Sequence, residues 1–82
     1  MAYRIELSDA AKEDLRALPK ELRRNIGHRI DLLKDGFTGD VKRLHGLHQH
    51  YRLRVGEYRV LFQLKGSLID IYAVRTRQGA YE

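Results

Sequence analysis

Residues 51–62, YRLRVGEYRVLF, alternate apolar and polar side chains up to a Gly-Glu pair and then take up the alternation again. A period of two on both sides of a Gly-X pair is the pattern of two antiparallel strands joined by a tight turn. Glycine in the first central position suits a type II′ turn, which sets Val55 opposite Tyr58, Arg54 opposite Arg59 and Arg52 opposite Leu61. Gly66-Ser67 repeats the Gly-X form. A second two-residue turn there places Leu64 opposite Ile69, Phe62 opposite Ile71 and Val60 opposite Ala73, so three strands share one apolar face. Slipping the last strand by one residue would bring Asp70 among those side chains and put Ile71 in water, so the apolar pattern selects the register. The opposite face then carries Arg52, Arg54, Arg59, Leu61, Gln63, Asp70, Tyr72 and Val74.

The preceding residues supply what covers the apolar face. Tyr3, Ile5 and Leu7 alternate with Arg4 and Glu6, predicting a strand over residues 2–7. Ser8 is a capping residue, Asp9, Glu13 and Asp14 suit the positive end of a helix, and Ala11, Leu15 and Leu18 recur at helical spacing. Pro19 favours a first helical turn; beyond it Leu22, Ile26, Ile30 and Leu33 line one face until Gly36 offers a stop. Glycines and polar residues from DGFTGD to LHGLHQH predict a loop anchored by Val41, Leu44 and Leu47. With strands over 51–55, 58–64 and 68–75, the expected architecture is α+β: an N-terminal strand, a helical hairpin, then a three-stranded antiparallel meander completing one sheet.

The chain has 82 residues, which predicts one domain over 1–82 whose folding buries roughly 60–65% of the unfolded surface. With no cysteine, neither disulfides nor thiolate metal sites are available. The first residues lack the apolar stretch of a signal peptide, and no apolar run reaches the ~20 residues that span a bilayer. The expectation is a soluble, cytoplasmic protein.

The formal net charge is +5, and residues 41–82 carry all of it. Residues 1–40 hold eight basic and eight acidic side chains, residues 41–82 eight against three. A one-sided surplus points to a polyanion, whose bound counterions are released on contact, although the same charge also serves solubility. Arg54 directly across from Arg59 costs cross-strand repulsion that an anion relieves; the alternative is a solvated outer face whose arginine stems cover the sheet. Arg75 and Arg77 leave the last strand beside the same sheet end, and Tyr81 follows close enough to fold back over it. Lys42 and Arg43, in KRLHG, are further candidates for polyanion contact. His45, His48 and His50 lie in the loop before the hairpin. No metal site is expected of them, since no carboxylate or thiolate is nearby in sequence. His48 or His50 is the alternative candidate for acid-base work.

The order of elements, together with KRLHG, YRLRVGEYRVLF and the terminal RTRQGAY, resembles the RelE/ParE superfamily of type II toxin-antitoxin toxins, and RelE-type messenger RNA interferases in particular. The resemblance implies ribosome-dependent, metal-independent cleavage of messenger RNA, in which a 2′-hydroxyl attacks the adjacent phosphate, expels a 5′-hydroxyl and leaves a cyclic phosphate. It implies no cofactor. It implies catalytic roles for Arg52, Arg54, Arg59, Arg75, Arg77 and Tyr81: Arg59 stabilising the phosphorane, Arg75 or Arg77 holding the scissile phosphate, and Tyr81 orienting or deprotonating the nucleophile. It also implies RNA contacts for Lys42, Arg43, Arg52 and Arg54. The partners implied are an antitoxin with an acidic amphipathic helix or strand, the ribosome and messenger RNA. The chain departs from the best-known RelE members in having Arg52 and Arg54 where those have lysines, and Thr76 where a histidine is common. Arginine stays protonated and makes no base at neutral pH. Two other readings are a ParE-like inhibitor of DNA gyrase and a toxin that binds its antitoxin without cutting.

Overall fold

The computed structural model describes residues 2–37, 39–46 and 48–76. They form β1 (Arg4–Leu7), α1 (Asp9–Arg16), α2 (Lys20–Leu32), a 3-10 turn (Leu33–Asp35), β2 (Val41–Arg43), β3 (His50–Val55), β4 (Tyr58–Lys65) and β5 (Leu68–Thr76). The strands make one sheet in the order β1-β5-β4-β3-β2, antiparallel except for the parallel pair of β1 and β5. The α+β class and the order of strand, helical hairpin and meander are therefore as expected.

Local chemistry accounts for the boundaries. Ser8 has extended backbone angles, and its hydroxyl accepts the Ala11 N–H at 3.1 Å, so it caps α1. Pro19 precedes the first residue of α2, and Gly36, at φ 139°, ends the 3-10 turn in a conformation that costs glycine little. Gly56 and Gly66 have φ of 60° and 62°, while Gln49 alone among the described non-glycine residues has positive φ. Positive φ at the first turn residue only is the type II′ signature, and the β3–β4 pairing has Val55 opposite Tyr58 and Arg54 opposite Arg59.

Two expectations need correction. Val41–Arg43 is a strand, not loop: it pairs with β3 so that Val41 meets Leu53, Lys42 meets Arg52 and Arg43 meets Tyr51. Three residues between glycine-rich flanks are too few for periodicity to reveal; the neighbouring strand's open edge induces the pairing. The second correction is a β-bulge. Leu64 faces Ile69 and Phe62 faces Ile71 as expected, but Leu61 then pairs with Ala73 and Val60 with Val74, leaving Tyr72 as the extra residue. Uninterrupted alternation would have turned Ala73 and Arg75 toward the core and Val74 outward. The bulge exchanges them: Val74 joins the core, and Arg75 takes the outer side opposite Arg59. Filling the core with the larger side chain and sparing a buried guanidinium both favour it.

Beyond Ile71, where β1 ends, α1 closes the open edge of β5. The Ser8 N–H donates to the Ile71 carbonyl at 2.9 Å, and Asp14 Oδ2 accepts the Val74 N–H at 2.9 Å. Ile26, Ile30 and Leu33 from the second helical segment pack with Leu53, Val60 and Phe62. At one end of the core Phe37 contacts Tyr3, Tyr51 and Phe62, with ring centroids 5.2, 5.2 and 5.5 Å apart. Among the described residues no helix is long and apolar enough to cross a membrane.

Gly27 lies within α2, and a Cβ there would meet nothing within 4 Å. Glycine costs a helix about 0.5–1 kcal/mol relative to alanine. Gly27→Ala is expected to raise stability by that amount, read as a higher urea midpoint at unchanged slope; an unchanged midpoint would contradict it.

Candidate functional site

The outer face is ordered in three rows by the pairing of β2 to β5. Nearest the β3–β4 turn lie Arg54, Arg59 and Arg75; next come Lys42, Arg52, Leu61 and Ala73; then His50, Gln63 and Asp70, with Glu6 of β1 beyond. The face is thus most basic at the turn end, while at the other end Asp70 is paired with Lys65 at 3.2 Å, so a polyanion would be drawn to the turn end. A cavity of about 40 Å³ lined by Arg54, Gly56, Glu57, Tyr58 and Arg59 opens at the basic end.

The arginines are not equivalent. Arg54 is exposed, whereas Arg59 is 5% and Arg52 9% exposed, so Arg59 lies on the outer side opposite Arg54, where alternation alone would leave it in solvent, yet is largely shielded from water. Asp40 holds two of them. Its Oδ1 accepts from Arg52 Nη1 at 3.3 Å, its Oδ2 lies 3.6 Å from Arg54 Nε, and its carbonyl accepts the Arg54 N–H at 2.9 Å. Asp14 holds a third, accepting from Arg75 Nη1 at 2.8 Å on the oxygen that also takes the Val74 N–H. Arg75 is therefore opposite Arg59 along the backbone, while its guanidinium pairs with α1. Like charges are assembled on one face because two internal carboxylates offset the repulsion.

Of the remaining sequence candidates, Lys42 is exposed and across from Arg52. Arg43, opposite Tyr51, belongs to the other side of the sheet and lines an open depression of about 390 Å³ with Leu44, His45, Gly46 and His48. Arg77 and Tyr81 lie outside the described residues. Alternation along the strands placed Arg52, Arg54 and Arg59 together and set Tyr72 on the same face, but it revealed neither the part of Asp40 nor the contact of Tyr72 with His50. Asp40 sits in a glycine-flanked stretch with no periodic signal, and only the β2–β3 pairing brings it to the arginines. Tyr72 reaches His50 across β4, with its hydroxyl 3.0 Å from Nδ1 and the rings edge to face at 5.4 Å. Burial pushes the Tyr72 phenol above its ordinary pKa, so at neutral pH it is protonated.

The face, as a whole, can bind a phosphate through guanidinium groups, stabilise charge that develops there in partly desolvated surroundings, and exchange a proton through imidazole. The family model described as ParE toxin of type II toxin-antitoxin system, parDE, matches residues 5–81. Toxin RelE3 of Methanocaldococcus jannaschii is 29% identical over 75 residues, covering 85% of each chain. Among solved structures, the archaeal RelE-RelB complex from Pyrococcus horikoshii OT3 contains a chain with 30% identity and a TM-score of 0.79, aligned over 98% of this chain and 100% of that one. The RelB-RelE antitoxin-toxin complex from Methanococcus jannaschii gives 26% identity and the same TM-score, over 92% and 93% of the two chains.

Proposed function

This chain belongs to the RelE/ParE superfamily of type II toxin-antitoxin toxins, and on that premise we propose that it cleaves messenger RNA on the ribosome. The observation that carries the reading is the partly buried arginine cluster on the outer face of the sheet. Arg54 and Arg59 stand directly opposite one another with Arg52 one step along β3. In the reaction a 2′-hydroxyl of the message attacks the neighbouring phosphate, so the nucleophile comes from the substrate and the protein supplies orientation, charge stabilisation and proton transfer. Arg59, desolvated and fixed, is suited to the phosphorane; Arg52 and Arg54 bind the backbone, with Lys42 extending the track. Arg75 could hold the scissile phosphate only after leaving Asp14. Arg77 and Tyr81 complete the proposed set.

Primer extension on a message translated with and without the protein tests this directly: new stops within the reading frame support it, and an intact message on translating ribosomes overturns it. The ParE name of the matching family model favours one second reading, inhibition of DNA gyrase, which a supercoiling assay would reveal. The partner is an antitoxin, as in the complexes of the structural relatives, whose acidic helix or strand covers the basic face.

Asp40 occupies Arg52 and Arg54 with the charge that a phosphate would bring. Asp40→Asn is therefore expected to tighten binding of a short single-stranded RNA severalfold at low salt and to steepen the salt dependence by about 0.7 in log–log slope, one phosphate's worth. Fluorescence anisotropy reads both; an unchanged slope would show that Asp40 does not compete with RNA.

A further inference from the structure

We propose that His50, held in orientation by Tyr72, is the proton acceptor for the 2′-hydroxyl of the bound RNA, with Tyr72 as its positioning residue. The inference rests on the RNA-cleaving reading above and supplies what the arginines cannot, because a guanidinium does not give up its proton at neutral pH. His50 precedes Arg52 by two residues on β3 and shares its face, so the imidazole starts about 7 Å from the arginine row. Both neighbours of His50 are anchored. Gln49, at φ 56°, turns the chain into β3, and its carbonyl accepts the Leu64 N–H at 2.9 Å. Tyr51 stacks on Phe62 with centroids 5.4 Å apart and donates its hydroxyl to Gln49 Oε1 at 3.3 Å. The ring is therefore presented from a fixed stretch of strand.

Tyr72 reaches it from the bulge. Tyr72 is the extra residue between Ile71 and Ala73, and from β5 it extends over β4 to put its hydroxyl 3.0 Å from His50 Nδ1. A neutral phenol oxygen can accept from Nδ1–H. That leaves Nε2 with its lone pair toward the substrate, and the same bond persists once Nε2 has taken a proton, so the ring need not move between its two states. The charged and titratable groups around the ring are Arg52 and Lys42 toward the basic end, His48 in the preceding loop, and Asp70 beyond Gln63, itself paired with Lys65 at 3.2 Å, with Glu6 of β1 next to it. The cations lie where the phosphate would bind.

The 2′-hydroxyl proton passes to Nε2, and the 2′-oxygen electron pair forms the new bond to phosphorus. The bond from phosphorus to the 5′-oxygen breaks, its electron pair leaving on that oxygen, which takes a proton from water. The hydroxide formed is neutralised when the imidazolium releases its proton.

The test is single-turnover cleavage of a translated message by the full chain, with RNA affinity measured in parallel by anisotropy. His50→Ala is expected to lower the rate by about 10²-fold or more with RNA affinity unchanged. Free imidazole should restore part of the rate, and the acidic limb of the pH–rate profile should vanish. A rate within threefold of wild type, or a loss that imidazole does not restore, overturns the assignment. Because His50→Ala could also disturb the strand, Tyr72→Phe is the second variant: it keeps the ring and removes the hydroxyl. It should lower kcat about tenfold at unchanged KM and shift the acidic limb, whereas a wild-type kcat removes Tyr72 from the proposal and with it the mechanism offered for His50. Failure of the wild type to cut is a separate outcome, which overturns the RNA-cleaving reading and this inference together.

Discussion

Replacing Arg59 by alanine is expected to cut ribosome-dependent cleavage by at least ~10²-fold, the usual worth of a group that stabilises charge in the transition state. The fold should also feel it. An arginine held at 5% exposure between Arg54 and Arg75 in adjacent strands contributes packing by its stem as well as charge. Its truncation is expected to cost about 1–3 kcal/mol, where an exposed arginine would cost no more than about 0.5. Arg54→Ala separates the two effects, since Arg54 is exposed and its loss should weaken RNA binding with little change in urea midpoint. The measurements are cleavage rate and denaturation for both variants. If Arg59→Ala cuts at the wild-type rate, the phosphorane role is lost whatever the stability shows.

The largest effect on folding is expected from Phe62→Ala, at about 3–5 kcal/mol. Phe62 is fully buried, stacks on Tyr51 and meets Phe37 edge to face. Its removal leaves a cavity at the junction of sheet and 3-10 segment that the surrounding rings can fill only by abandoning their offset contacts. Small domains have roughly 5–15 kcal/mol of stability in all, so the variant should melt at least about 12 °C lower. Calorimetry checks this. A shift of only a few degrees would mean that Tyr51 and Phe37 collapse into the space, and that the aromatic cluster is less rigid than its geometry implies.

These two residues also mark how far the sequence could be read. Both lie on β4, three apart, and simple alternation assigns one to the core and the other to the outer face. Alternation also predicts the II′ turns at Gly56 and Gly66, and helical spacing with Ser8, Pro19 and Gly36 predicts the helical hairpin. Each of these is a short-range matter: a side chain every second or fourth residue, a cap, a glycine where φ must be positive. The chain by itself therefore determined the α+β class, most of the register and the placing of Arg52, Arg54 and Arg59 on one face.

The remaining features share one physical cause, competition for space and charge between elements far apart in sequence. The bulge at Tyr72 depends on what Val74 and Arg75 encounter across the sheet and on Asp14, 60 residues away, receiving the Val74 N–H. The pairing of β2 depends on the free edge of β3, and Asp40 meets Arg52 and Arg54 only through that pairing. Arg59 reads as a solvent-facing residue because alternation distinguishes two sides of a sheet; it cannot say that neighbours on the outer side close this one residue off from water. The link between His50 and Tyr72 bridges β3 and β5 across β4, 22 residues apart in sequence. Patterns along the chain report the direction in which a side chain leaves the backbone, and the desolvation, ion pairing and proton contacts that make a site of those directions arise only when the strands and helices are packed together.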